Sequence, residues 1–250
     1  MAGSSLTVLL GPGFAPALAG LGVLDCLQAR RVPVDCVVGV NTGALAAALW
    51  AVGANLALAA RVIARLPWHR YAVAHDLGSA DPLLTVCNVL TRRADFTDVS
   101  RPIAIAAADA ETGELVWLQT GSVAQAVRAT VAVPGLFEPL SHLGRRLVDG
   151  GSVWPLTRER FAGARILEVE FGPAVQETGD LSSEFGPVAQ RLAAASARAW
   201  GASQSRQAER LVVSERVGGL LDFHLAEEWF AAGQRAFEAW LAPGGEDVGS

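Results

Sequence analysis

The chain has 250 residues, of which 51% are hydrophobic, and a formal net charge of −5. That length and apolar content exclude a disordered chain and allow one α/β domain with a large core. All 20 basic residues are Arg, and they form no basic run, which excludes a nucleic-acid surface and a polybasic membrane patch.

Residues 5–10 are an apolar run ending at Gly11-Pro12-Gly13, a strand entering a tight loop. Residues 17–31 read as a helix with Leu18, Leu21, Leu24 and Leu27 on one face. Residues 34–39 are a second strand and 43–66 a second helix. This βαβ start implies parallel strands. Short helices and loop are expected over 67–96. Strands follow at 102–108 and 115–119, a helix at 123–130 and a strand at 146–148. Residues 165–171 form another buried strand. A surface loop at 172–183 precedes a helix at 187–206 and a last strand at 210–213. Residues 225–241 form an amphipathic helix with Leu225, Trp229, Phe230, Phe237 and Leu241 toward the core. No repeat or linker appears. The expectation is one domain over 1–250, with its core at about 6–241 and a frayed tail at 243–250.

Cys26, Cys36 and Cys87 match neither a disulfide framework nor a zinc site, so they read as buried free thiols. His69, His75, His142 and His224 are scattered, and neither metal nor cofactor is expected. The N-terminus lacks a cationic stretch and its apolar run is too short for a signal core. Residues 44–60 are nearly all apolar, but Gly53 and Asn55 interrupt them and they are short for a membrane span. A core helix is expected there, with no transmembrane segment. The expected location is the cytoplasm, with peripheral membrane contact left open.

Chemistry concentrates at Gly39-Val40-Asn41-Thr42-Gly43. Strand, Gly-x-?-x-Gly, helix is the frame of a nucleophile elbow, whose sharp turn lifts one side chain above the sheet. The raised residue here is Asn41, which has no nucleophilic oxygen. Three further blocks accompany it in order. Gly11-Pro12-Gly13-Phe14-Ala15-Pro16 precedes a Leu/Gly-rich helix. Ala126-Val127-Arg128-Ala129-Thr130 is followed by Val133-Pro134-Gly135-Leu136-Phe137. Val148-Asp149-Gly150-Gly151 is followed by Pro155-Leu156.

In these four blocks, and in Leu221-Asp222-Phe223 with its following helix, the chain resembles the patatin-like phospholipases, Ser–Asp dyad acyl hydrolases. The resemblance implies a three-layer α/β/α sandwich with a mostly parallel central sheet. It implies that Asn41 holds the position of the nucleophilic Ser and Asp149 that of its base. The loop Gly11, Pro12, Gly13, Phe14 holds the position of the oxyanion loop, joined by the Thr42 backbone N–H. Gly150, Gly151 and Trp154 flank the ligand. Aligned with or without one inserted residue, the loop lacks the family's basic residue and places a Pro, without N–H, at a Gly position. Trp154 stands where a small polar residue is usual.

Each feature also has a plain structural reading. Asn tolerates the unusual backbone of an elbow, and a tight Asp-Gly-Gly turn favours an Asx residue. The Gly11–Pro16 stretch could be a rigid turn, and Trp154 a packing residue. The leading expectation is a non-catalytic acyl- or lipid-binding, or regulatory, pseudo-enzyme. A weak hydrolase, or one whose Ser was replaced deliberately, is the alternative. A third reading is an interaction protein that pairs with itself or an active paralogue, with Trp50, Trp68, Trp117, Trp200 and Trp240 as candidate anchors. The Asn41 amide is expected to hydrogen-bond the Asp149 carboxylate.

Overall fold

A computed structural model describes residues 6–68, 81–134, 137–161, 164–171 and 208–242. An eight-stranded mixed sheet forms its centre, in the order β5-β6-β3-β2-β1-β7-β8, with β4 also paired to β3. The strands are β1 (Leu6–Leu10), β2 (Val34–Gly39), β3 (Ile103–Asp109), β4 (Leu115–Leu118), β5 (Leu140–His142), β6 (Arg145–Val148), β7 (Arg165–Phe171) and β8 (Glu209–Val213). The middle pairs β2–β1, β1–β7, β2–β3 and β7–β8 are parallel; β4, β5 and β6 are antiparallel additions. This is an α/β fold with a mostly parallel central sheet, as the family resemblance implies.

The helices are α1 (Ala19–Ala29), α2 (Thr42–Ala51), α3 (Leu56–Ala64), α4 (Pro82–Leu90), α5 (Val123–Thr130) and α6 (Ala226–Leu241). One sheet face contributes Val8, Leu10, Val37, Ile105 and Leu167 to a large core with α1, α2 and α6. The opposite face contributes Leu9, Val38, Val40, Ala104 and Ile166, covered in part by Trp117 and by Phe161 of a 3-10 stretch over Gly150–Phe161. The expected loop at 172–183, helix at 187–206 and tail at 243–250 lie outside the described residues.

The single helix expected over 43–66 is two helices. Gly53 adopts φ 67°, and Ala54 N–H reaches back to Leu49 O at 3.0 Å, a left-handed C-terminal cap that ends α2. Asn55 then caps α3, its Oδ1 accepting from Leu58 N–H at 2.8 Å. The two residues that break the apolar run therefore divide it. Among the described residues no helix is long and apolar enough to cross a membrane. The short strand β5 was not expected. Its hairpin with β6 turns through Leu143 and Gly144, both at positive φ. Leu241, expected in the core, is 48% exposed at the end of α6, whereas Trp229 and Phe237 are buried.

α1 and α6 pack with almost no side-chain layer between them. A Cβ on Gly22 would lie 2.0 Å from Phe230 O, and one on Gly233 would lie 1.9 Å from Ala19 O. Both contacts are to backbone, which cannot step aside. Gly233→Ala is therefore expected to lower the unfolding free energy by about 2 kcal/mol or more. Chemical denaturation measures this. A variant within about 0.5 kcal/mol of the parent would show that the two helices separate freely.

Candidate functional site

Strand pairing brings Asn41 and Asp149 together from positions 108 residues apart. On one edge of β3, β2 pairs from Ile103 to Ile105 and ends at Gly39. β4 occupies the other edge from Ile105 to Ala108. β6, paired at Ala108 and Asp109, must therefore use the edge that β2 has left. The chain leaves β2 into Asn41 and leaves β6 into Asp149, so both residues emerge beside the same unpaired stretch of β3.

The elbow at Asn41 has φ 51° and ψ −135°, a conformation non-glycine residues rarely adopt. Both flanking glycines are required sterically. A Cβ on Gly39 would lie 2.5 Å from Ala44 Cα, and one on Gly43 would lie 2.6 Å from Leu10 O. The turn is held from behind by Thr130 at the end of α5. The Asn41 N–H donates to Thr130 Oγ1 at 2.9 Å, and that hydroxyl donates to Ala106 O at 2.6 Å. Ala106 lies in the gap between β2 and β6. Thr130 thus satisfies a carbonyl that neither strand reaches. It belongs to a block quoted above for the resemblance, but no role was expected for it. A hydroxyl at the end of a buried helix face was the available signal.

The Asn41 side chain is bonded at both ends. Its Nδ2 donates to Asp149 Oδ1 at 2.8 Å. Its Oδ1 accepts from Thr42 N–H at 2.8 Å and from Thr42 Oγ1 at 3.2 Å. This network fixes the orientation of the amide, since only oxygen can face the Thr42 N–H and only NH2 can face a carboxylate. Asn41 is 2% exposed and Asp149 9%, so both site side chains are buried.

Asp149 N–H donates to Ala132 O at 3.0 Å. Burial pushes its carboxyl up to about 6, against the hydrogen bonds from Asn41 and from the Gly151 backbone. Gly150 and Gly151 allow the close approach. A Cβ on Gly150 would lie 2.3 Å from Ala106 O, and one on Gly151 would lie 2.9 Å from Asp149 Oδ2. Pro12 covers this turn, 3.6 Å from the Cβ position of Gly151. The Trp154 side chain lies outside the described residues.

The loop after β1 reproduces the elbow's backbone. Phe14 has φ 53° and ψ −133°, nearly the values of Asn41, at the entrance to the helical segment beginning at Ala15. A bulky aromatic is an outlier there. Phe14 is held by packing against Val133 and Leu220. Two loop N–H groups are already committed: Gly11 N–H to Val169 O at 3.2 Å and Ala15 N–H to Leu220 O at 3.0 Å. Pro12 has none to offer.

The remaining candidates stand apart from this centre. Cys26 and Cys87 are buried and Cys36 half-buried, all three reduced. Burial pushes the Cys36 thiol up to about 11 and that of Cys87 to about 12, which makes them poor nucleophiles. Trp50 is buried and Trp68, Trp117 and Trp240 are half-buried, while Trp200 lies outside the described residues.

A protein-family model described as patatin-like phospholipase matches residues 8–157. The chain belongs to the patatin-like phospholipase family. An uncharacterised NTE family protein of Mycobacterium tuberculosis is 30% identical over 189 residues, 73% of this chain and 51% of that protein. Lysophospholipase NTE1 of Coccidioides immitis is 26% identical over 208 residues, 76% of this chain and 13% of that protein. The chain thus spans about half or less of the length of these relatives. VipD from Legionella pneumophila has the same fold, with a TM-score of 0.57 at 12% identity over 94% of this chain and 67% of that chain.

The raised Asp149 value gives a signed pH dependence. The buried carboxyl titrates near 6 in the folded chain and near 3.9 when unfolded. Below about pH 4 both states hold the proton, and burial carries no ionisation penalty. As pH rises through 6 the native state must ionise, and stability falls by about 3 kcal/mol. Asp149→Asn removes that term. Its stability relative to the parent should rise between pH 4 and pH 7 and level off above. Parallel stability–pH curves for the two proteins would contradict the assignment.

Proposed function

We propose that this domain is a non-catalytic patatin-like protein that binds an acyl or lipid ligand without hydrolysing it. The observation that carries the reading is the double anchoring of the Asn41 amide. A carboxamide nitrogen is not a nucleophile, and a carboxylate near it cannot make it one. Its oxygen, moreover, takes the Thr42 N–H that in a hydrolase of this family would face the oxyanion. The substitution therefore removes the attacking group and also fills part of the site where charge would develop.

The loop supports the same reading. Pro12 has no N–H to offer, and the Gly11 N–H before it serves the sheet. Phe14 at positive φ takes a conformation that glycine adopts freely, which favours the ungapped alignment with Phe14 at a family Gly position. Losing a single oxyanion donor costs about 10²–10³ in turnover. Losing the nucleophile costs about a millionfold in a serine hydrolase. Because both changes are present, reversing one of them should not recover an enzyme.

A fluorophosphonate probe, which labels activated serines, tests this together with ester turnover. The chain as given should take up no label. Asn41→Ser should remain below about one hundredth of an ordinary family hydrolase, because the loop is still deficient. Robust labelling and turnover by Asn41→Ser would overturn the reading. The domain would then be a competent acyl hydrolase lacking its nucleophile alone.

A further inference from the structure

Beside the site the chain itself presents a segment with the chemistry of a ligand. After β8 the backbone runs without regular structure through residues 214–222 before the 3-10 turn Phe223–Leu225 and α6. In this stretch Leu220 is buried, packed on Phe14 and Val133, with Phe137, Leu221 and Phe223 around it. Its carbonyl accepts the Ala15 N–H at 3.0 Å. Leu220 therefore presents a carbonyl to an N–H of the loop after β1 and an aliphatic tail to the apolar wall beside it. Those are the two features of an acyl group.

The place adjoins the Asn41–Asp149 site on two sides. Val133 follows Ala132, whose carbonyl holds the Asp149 N–H. Phe14 follows Pro12 and Gly13 in the loop that lies over Gly151. Phe14, Val133 and Leu220 form one buried cluster, so Leu220 packs where the loop after β1 meets the segment that holds Asp149.

The stretch is tied at both ends by polar and aromatic contacts. Arg235 of α6 grips Glu215 with two hydrogen bonds of 2.9 and 2.6 Å, and both residues are exposed. At the other end Asp222 Oδ2 accepts from Gly219 N–H at 2.7 Å, and Phe223 stacks on Trp68 with ring centroids 4.6 Å apart. Gly218 lies between these anchors and Gly219 carries the second of them; the pair supplies backbone freedom where a hinge would need it.

We propose that residues 214–222 are a strap that occupies the acyl position of the site with Leu220, and that a single-chain acyl ligand binds by displacing it. The ligand's carbonyl takes over the Ala15 N–H and its chain the wall of Phe14 and Val133. This rests on the acyl-binding reading above. The strap lowers apparent affinity by the fraction of time it stays closed, so loosening it should strengthen binding.

The test uses dodecanoate and lysophosphatidylcholine monomers as probes, with calorimetry for affinity and amide hydrogen exchange read at Ala15. Leu220→Ala should bind the probes about tenfold more tightly than the parent. The Ala15 amide should exchange by a local opening that is faster in the variant, and its bond should be replaced, not lost, when probe is bound. Equal or weaker binding by a folded Leu220→Ala chain would overturn the proposal. So would Ala15 exchange that occurs only through global unfolding. Local opening at Ala15 without binding of either probe would uphold the strap and sink the acyl-ligand reading instead.

Discussion

The structure of the site depends on one carboxamide held between two groups that demand opposite things of it. Thr42 N–H requires an acceptor, and the Asp149 carboxylate requires a donor. Asn is the short side chain that offers both from a single planar group. Serine at the same place could donate to Asp149, but its one oxygen would have to serve both directions. The strained elbow, the buried carboxylate and the first turn of α2 are therefore tied together through Asn41. The tie also explains how an acid can be buried here: it retains the bonds from Asn41 and Gly151 while burial raises its pKa.

Around that bond the fold is arranged by close backbone approach. Gly39, Gly43, Gly150 and Gly151 each lie where a Cβ would meet backbone or a site atom below 3 Å. The gap that β2 and β6 leave on one edge of β3 exposes the Ala106 carbonyl, and Thr130 fills that need while fixing the Asn41 N–H. Elbow, acid turn and α5 consequently meet at one point, joined by the bonds of Asn41 to Thr130 and to Asp149. Three backbone N–H groups around this point are committed within the chain: Thr42 N–H to Asn41, Gly11 N–H to β7 and Ala15 N–H to Leu220.

Much of this was legible in the sequence. Apolar runs located β1, β2, β3, β7 and α5 closely, because each carries a run of buried residues bounded by Gly, Pro or a cap. The elbow and the Asp-Gly-Gly turn were legible because their glycines answer steric needs that no other residue meets. Three features were hidden for identifiable reasons. The break between α2 and α3 rests on Gly53 and Asn55 acting as cap residues, and two interruptions in a long apolar run do not by themselves say that one helix ends and another begins. The roles of Thr130 and Leu220 depend on contacts across 89 and 205 residues that periodicity does not encode. The unusual backbone of Phe14 runs against its residue type, and only its packing partners make it tolerable.

The most direct test of the central claim is the side-chain amide of Asn41 itself. In nitrogen-15 labelled protein its two Nδ2 protons should appear as a well-separated, slowly exchanging pair. Those signals should titrate with a single midpoint near pH 6, the value to which burial raises Asp149. Asp149→Ala should abolish the titration. An Asn41 side-chain amide that exchanges freely with water, or stays flat between about pH 4 and 8, would show that the carboxamide does not bridge the site and would contradict the account.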